Sequence, residues 1–339
     1  MTLIAPQPRH AILPVPMPPV LSIVVPVHDE AAVLPDLYRR VHEVLDTLGE
    51  PWELILVDDG SLDRSSEVIA ELCERDQRVR GIALSRNFGF QVAVTAGLDA
   101  TRGAATILMD ADLQDPPEVI PEFVALWRQG YDVVYGVRGA RAGESWFKKA
   151  TASGFYRLMQ RLTSVPIPVD TGDFRLMDRR VVEAVRQMPE RHRFLRGMVS
   201  WVGFRQIGVV YARQPRWAGQ TKFTLAKMVR FALDAITGFS HLPLQLASFL
   251  GFTLAALSGL AIVAVVFLRL FDSSQPLLGQ ATTLVAVLFL GGVQLICLGI
   301  VGEYLGRVAD EVKLRPLYLI RQRWGFDEPA SDAVPRGVR

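Results

Sequence analysis

The sequence predicts an α/β chain: a domain on a mostly parallel, Rossmann-like sheet, then an amphipathic juxtamembrane segment, then two helices able to cross a membrane. Three observations carry this. Short β-branched runs alternate with helix-period stretches from residue 21 to about 136, the pattern of a parallel α/β sheet. Polar and acidic residues gather just after those runs, where open sheets of this kind bind ligands. Charge then disappears from two long C-terminal stretches. The boundaries that follow are a Pro-rich lead-in over 1–20, the α/β domain over 21–220, the amphipathic segment over 221–243, a two-helix hairpin over 244–306 and a basic tail over 307–339.

The elements follow in order. Pro6, Pro8, Pro14, Pro16, Pro18 and Pro19 interrupt the first twenty residues. That excludes the continuous apolar helix of a signal peptide and predicts an extended lead-in. The strand runs are Leu21–Val25, Trp52–Val57, Val79–Leu84, Ala104–Met109 and Tyr131–Tyr135. Helical stretches lie between them, among them Ala31–Leu48 and Ser65–Arg75. Leu244–Leu268 is 25 residues without a charge, and Ala281–Val301 is a second such run. Each spans a hydrocarbon core of ~30 Å as a helix, and soluble helices rarely run so far without a polar face. Gly251, Gly259, Gly291, Gly292 and Gly299 on these runs allow close helix packing, between subunits as well, so a homo-oligomer through the hairpin is expected. Arg307, Lys313, Arg315, Arg321 and Arg323 follow the second run, against Arg269 and Asp272 between the two. By the positive-inside tendency both ends of the chain, and the α/β domain, lie on the cytoplasmic face of the inner membrane.

Composition sets limits. The net charge is only +2 over 339 residues, so no nucleic-acid partner is implied. Half of the chain is hydrophobic and the mean hydropathy is +0.23, high for a soluble protein. Cys73 and Cys297 are far apart and read as free, buried thiols.

The strand ends carry the chemistry. They read Pro26-Val-His-Asp-Glu30, Asp58-Asp-Gly-Ser61, Ser85-Arg-Asn-Phe-Gly89, Met109-Asp-Ala-Asp-Leu-Gln-Asp-Pro-Pro-Glu118 and Gly136-Val-Arg138. One acidic turn is ordinarily a solvated loop or a helix N-cap, and Asp63 and Asp115 are read that way, with Asp115 to Glu118 opening the next helix. Acidic groups at successive strand ends on one rim point instead to a shared site. Neither GxGxxG nor GxxxxGK[ST] is present, so a dinucleotide fold and a P-loop are not supported. Asp110 and Asp112 suit a hard cation, Mg2+ or Mn2+, whose other ligands are phosphate oxygens.

With these motifs in order, namely SIVVPVHDE, ILVDDGS, LSRNFGFQVAVTAGL, ILMDADLQDPPE, VVYGVR, TGDFRLMDRR, FLRGMVSWVGF, RWAGQTKF and GEYLGRVADEVKLRPLYLI, the chain resembles the family 2 glycosyltransferases of GT-A fold. The branch it resembles is that of the polyisoprenyl-phosphate glycosyltransferases: dolichol-phosphate mannose synthase and the bacterial undecaprenyl-phosphate sugar transferases. The resemblance implies roles. Pro26, Glu30, Asp58 and Asp59 would line the nucleotide pocket, and Asp110 would sit by the ribose and diphosphate. Asp112 would be the principal metal ligand, helped by Gln114. Arg138 and Lys149 would face the phosphates of donor and acceptor, and Arg213, Arg216 and Lys222 lie on the segment that closes over the site in relatives. His28-Asp29 departs from the aromatic residue and Asn of many relatives.

The implied reaction is inverting, metal-dependent transfer from a nucleotide-sugar donor to a polyprenyl phosphate. UDP-glucose is the first donor by resemblance, with GDP-mannose and a modified pentose such as 4-amino-4-deoxy-arabinose open. A lipid phosphate is already ionised and needs cations rather than a general base, so Asp173 is given an orienting role. Thr221–Ser240 reads either as an interfacial amphipathic helix or as one packed on the domain. A processive polymer synthase fits poorly, because Gln214-Pro-Arg-Trp217 is one residue short of Gln-x-x-Arg-Trp and Pro215 interrupts a helix. A non-catalytic nucleotide-sugar sensor is disfavoured because the acidic and basic partners are all present.

Overall fold

A computed structural model describes residues 19–139, 171–214, 242–271 and 280–326. Lys149, Arg216, Lys222 and most of the amphipathic segment lie outside them. The elements of the first half are β1 (Leu21–Val27), α1 (Leu34–Leu48), β2 (Trp52–Asp58), α2 (Ser65–Arg75), β3 (Val79–Leu84), α3 (Phe90–Ala100), β4 (Ala105–Leu108), a 3-10 turn (Pro117–Val119), α4 (Ile120–Arg128) and β5 (Val133–Arg138). After them come β6 (Thr171–Asp178), α5 (Arg179–Gln187), α6 (Leu195–Trp201), β7 (Gln206–Tyr211), α7 (Leu242–Phe271), α8 (Gln280–Val312) and β8 (Ile320–Trp324).

All eight strands form one sheet, in the order β7-β5-β6-β4-β1-β2-β3-β8. The pairs β1–β2, β1–β4, β2–β3 and β5–β7 are parallel. β6 runs antiparallel to β4 and β5, and β8 antiparallel to β3. Helices cover both faces. One apolar layer joins α1, α2 and α4 to the sheet, and the other joins α3, α5 and α6 to it. That explains why β1 and β2 read as near-continuous apolar runs, interrupted only by a buried Ser22–Glu53 pair and the terminal Asp58: every residue in both is buried, on either face. α1 buries Leu34, Leu37, Val41 and Leu45 at helical spacing and ends at Gly49 with φ 66°. It begins three residues later than the pattern predicts, because the Glu30 carbonyl accepts from Val33 and Leu34 in a preceding turn.

The C-terminal helices are longer than the charge-free runs. Windows at Pro243–Leu260 and Phe289–Val312 are long and apolar enough to cross a membrane, and neither is buried. Phe249, Phe252 and Leu295 are 71%, 78% and 71% exposed, a degree of apolar exposure that water does not tolerate. The glycines expected to bring the two helices together mark no close approach among the described residues: a Cβ at Gly251, Gly259, Gly291, Gly292 or Gly299 would meet nothing within 4 Å. Cys73 and Cys297 are free but only half-buried, and burial pushes the Cys73 thiol up to about 12.

The stretch after the second helix is more than a basic tail. α8 continues to Val312, and residues 320–324 return as the edge strand of the sheet. The Arg191 amide donates to Glu311 at 2.7 Å and His192 pairs with Asp310 at 3.2 Å, which fastens the end of α8 to the domain. Tyr318 donates to Asp99 at 2.8 Å and the Ser85 amide to the Leu319 carbonyl at 2.8 Å. The helical hairpin thus departs after β7 and returns at β8, the two edges of one sheet.

α3 crosses β1 and β2 closely at Gly97, where a Cβ would stand 2.3 Å from Val24 Cγ1 and 3.1 Å from Val57 Cγ2. Both neighbours are fully buried β-branched side chains with no alternative position. Gly97→Ala should therefore lower the stability of the α/β domain by about 1–3 kcal/mol, read as a lower unfolding midpoint of the detergent-solubilised protein.

Candidate active site

Strand direction decides which residues meet. β1, β2, β3, β4, β5 and β7 point the same way, so their carboxyl ends share one rim. β6 and β8 are reversed, so their amino ends, Thr171-Gly-Asp173 and Ile320-Arg321, reach that same rim. The strand-end reading therefore finds most of the site and misses what the reversed strands bring.

The acidic centre lies where β4 ends and β6 begins. Asp110 has Asp173, Asp115 and Asp112 as charged neighbours, with Arg138 as the nearby cation. Its Oδ1 is fully covered and accepts no hydrogen bond from the described residues, although the residue as a whole keeps partial exposure. Desolvation, then Asp173, Asp115 and Asp112, raises its pKa from 3.8 to about 8. Asp112 is nearly buried and accepts from the Gln114 amide at 3.1 Å. Between them Leu113 is buried with φ 56°, a conformation that costs a β-carbon residue about 1–3 kcal/mol and recurs at functional turns.

Asp115 belongs to this centre and does not cap a helix. Pro116 stands at the N-cap of the turn that follows, and Asp115 is completely buried. Its Oδ1 accepts from the Tyr211 hydroxyl and lies 3.8 Å from Arg213 Nε, while its Oδ2 has no partner among the described residues. Burial raises its pKa, against the lowering effect of Tyr211, Arg138 and Arg213. Glu118, by contrast, does belong to the following turn and is held by Arg40.

Arg138 hydrogen-bonds Tyr211 and crosses Gly172, where a Cβ would lie 2.8 Å from its Nη2. The glycine of TGD is thus what admits the guanidinium to the site. The Nε atoms of Arg138 and Arg213 are buried without an acceptor among the described residues. The Gln214 amide bonds the Gln114 carbonyl at 3.0 Å, which ties the chain leaving β7 to the acidic turn. Asp173 is clamped by Arg196 at 2.9 and 2.7 Å. Arg196 and then Arg175 hold its carboxyl below the usual range in spite of its burial. Arg175 is itself so buried that its pKa falls to about 10.

The β1 and β2 ends form a second group. Asp59 accepts from the amides of Phe88 and Gly89 at 2.7 and 2.9 Å. Asp58 is fully buried; one oxygen accepts from the Ser61 amide at 2.9 Å and the other from the Ser66 hydroxyl. Asp29, with φ 54°, accepts from the Leu62 amide at 2.8 Å, and the Glu30 amide donates to Ser65 at 3.0 Å. Asp63 accepts from the Ser65 amide at 2.9 Å and from the Ala31 amide at 3.1 Å, one residue before the N-cap of α2, which is Arg64 and makes no side-chain cap bond, so Asp63 ties two loops together instead of capping the helix. Pro26 lies within β1, beside Val57. These side chains fix the shape of the rim rather than project from it. Tyr211, Arg196 and Arg321 complete the site without any sequence signal that singled them out.

A divalent cation fits the acidic centre. Covered, unpartnered oxygens on Asp110 and Asp115, and an Asp110 that resists ionisation without one, are what a cation would satisfy. Among the described residues no three His, Cys, Asp or Glu side chains converge to enclose a metal. An ion here would share its coordination with substrate oxygens.

A mostly parallel sheet with an acidic rim at its carboxyl ends and two apolar helices after it is the architecture expected above for a GT-A glycosyltransferase. The chain belongs to glycosyl transferase family 2, whose model matches residues 22–186. It is 48% identical over 306 residues to the uncharacterized glycosyltransferase YkcC of Bacillus subtilis (strain 168), covering 90% of this chain and 94% of that protein. It is 41% identical over 308 residues to the bactoprenol glucosyl transferase of Shigella phage SfX, covering 89% and 99%. Among solved structures, glucosyl-3-phosphoglycerate synthase from Mycobacterium tuberculosis, in complex with Mn2+, UDP-glucose and phosphoglyceric acid, aligns with a TM-score of 0.42 at 16% identity, over 65% of this chain and 78% of that one.

The raised pKa of Asp110 makes a pH prediction. The folded chain holds this proton more tightly than the unfolded one between pH 3.8 and about 8. Stability without cation is therefore lost as pH rises through that window and levels off above it. Asp110→Asn removes the titration, so in chelator its melting temperature should exceed that of the wild type by a margin that grows from pH 5 to pH 8.

Proposed function

We propose that this glycosyltransferase moves a sugar from a nucleotide-sugar donor, a UDP-sugar and first of all UDP-glucose, to a polyprenyl phosphate, with inversion at the anomeric carbon. One observation carries the reading. The similarity to bactoprenol glucosyl transferases covers 89% of the chain, more than the 22–186 stretch of the family model can supply, so it extends beyond the sugar-transfer domain. A lipid acceptor gives the hairpin a purpose that a soluble acceptor would not.

The chemistry is economical in protein groups. A phosphate oxygen of the acceptor attacks C1 of the sugar, the C1–O bond to the donor diphosphate breaks, and a nucleoside diphosphate leaves. When bound, Mg2+ or Mn2+ neutralises the charge that gathers on that leaving group. Asp112 and Asp110 would hold the ion, with Gln114 beside them. Arg138 and Arg213 lower the repulsion between an anionic acceptor and an anionic donor, and an arginine can do so with two parallel hydrogen bonds. Lys149, Arg216 and Lys222 are assigned to the same task on the acceptor side. Pro26, Glu30, Asp58 and Asp59 shape the nucleotide side of the rim. Asp173, locked by Arg196, orients Arg175 and the start of β6 and takes no proton, since a phosphate nucleophile needs no general base. The hairpin keeps this site against the cytoplasmic face of the membrane with both termini on that side.

Three measurements test the reading. With undecaprenyl phosphate and a panel of UDP-glucose, GDP-mannose and UDP-linked aminopentose, mass spectrometry of the lipid product should find a hexosyl monophosphate from UDP-glucose; a product from another donor alone would replace the donor assignment. Asp112→Asn should lower kcat by about 10²–10³-fold with the fold intact, and full turnover in that variant would refute the metal site. Arg138→Lys keeps the charge but loses the planar fork, so a drop of about tenfold in kcat/KM for the lipid phosphate is expected.

A further inference from the structure

The strand that follows the second apolar helix delivers an arginine to the donor side of the rim. Arg321 stands at the amino end of β8, and because β8 is antiparallel to β3 that end lies with the carboxyl ends of β2 and β3. Its Nη2 donates to Ser66 Oγ at 3.0 Å and lies 3.6 Å from Asp58 Oδ2. Asp58 is fully buried, while the Arg321 side chain is 51% exposed. Both carboxylate oxygens of Asp58 are engaged inside the protein, by the Ser61 amide and by Ser66. The Arg321 guanidinium is thus a group at this strand end with exposed surface and N–H donors to spare: it has five N–H donors, and only Nη2 makes these contacts.

We propose that Arg321 is a positioning residue for the nucleotide of the donor. It locks Asp58 and Ser66, and it offers its remaining N–H groups to a carbonyl or phosphate oxygen of the nucleotide. The inference rests on the reading that the ends of β1 and β2 form the nucleotide side of the site. It also makes the donor pocket depend on a segment after the hairpin. β8 is held by its pairing with β3, by Ser85–Leu319 and by Tyr318–Asp99. The same segment begins at the end of α8, which Arg191 and His192 hold to the domain. Seating of the hairpin and completion of the nucleotide pocket are thereby one event.

The experiment uses the full-length protein in detergent or lipid nanodiscs. Initial rates are measured with varied UDP-glucose at saturating undecaprenyl phosphate, and again with the lipid varied. Arg321→Ala should raise the donor KM about tenfold, the worth of a charge-assisted hydrogen bond, and leave kcat and the lipid KM within about twofold. Arg321→Lys should recover part of the donor KM. Arg323→Ala, on the same strand, should leave the donor KM unchanged. An unchanged donor KM in Arg321→Ala, while Asp58→Asn raises it, would overturn the role of Arg321 and leave the site reading intact. No change in either variant, with both folded by circular dichroism, would overturn the nucleotide-side reading as well. A fall in kcat with a lower melting temperature that Arg321→Lys does not repair would mark Arg321 as structural only, and would also overturn the proposal.

Discussion

Several carboxylates are crowded where β4 ends and β6 begins, and the rest of the domain is arranged to hold them there. Asp110, Asp112, Asp115 and Asp173 repel one another in a poorly solvated place, and no single partner neutralises the group. The structure divides the problem. Asp173 is given to Arg196 and Arg175, Asp115 to Tyr211 and Arg213, and Arg138 lies between the two pairs. Asp110 is left with a covered Oδ1 that has no donor among the described residues. That uneven division leaves an acidic point with an incomplete shell that holds its proton until a cation arrives with the substrate.

The mixed sheet is what makes the division possible. A wholly parallel sheet brings only carboxyl ends to its ligand rim. Reversing β6 between β4 and β5 inserts an amino end among them, and with it Gly172 and Asp173. Gly172 then makes room for Arg138, and Gly136 for the Tyr211 ring, where a Cβ would come within 2.6 Å of Cε1. Anion and cation are therefore interleaved by strand order rather than by loop length. At the other edge β8 repeats the device and brings a guanidinium to Asp58.

The edge strand also bears on how the two apolar helices are joined to the α/β domain. Here the chain leaves beside β7, makes two long helices and comes back into the sheet beside β3. The apolar helices therefore lie in the chain between strands of opposite sheet edges, and on the β8 side the described residues tie the end of α8 to the domain through Arg191–Glu311 and His192–Asp310.

Much of this was legible beforehand. The five strands up to residue 138 announced themselves by β-branched runs, because burial on both faces forces near-continuous apolarity. The hairpin announced itself by the loss of charge, because hydrocarbon excludes it. Asp110, Asp112 and Arg138 were singled out because they stand at or just beyond strand ends, and the structure brings them to one rim. What the sequence alone could not supply was pairing. Asp115 has the local pattern of a helix start, and only its distance to Tyr211, 96 residues away in sequence, makes it part of the centre. β8 lies in a run rich in arginine that reads as a solvated tail, and only the open edge of β3 makes it a strand. Local composition determines which segments are strand, helix or membrane-crossing, since those depend on neighbours three or four residues away. The membership of the site was decided by strand order and direction, which depend on contacts that no short stretch of sequence records.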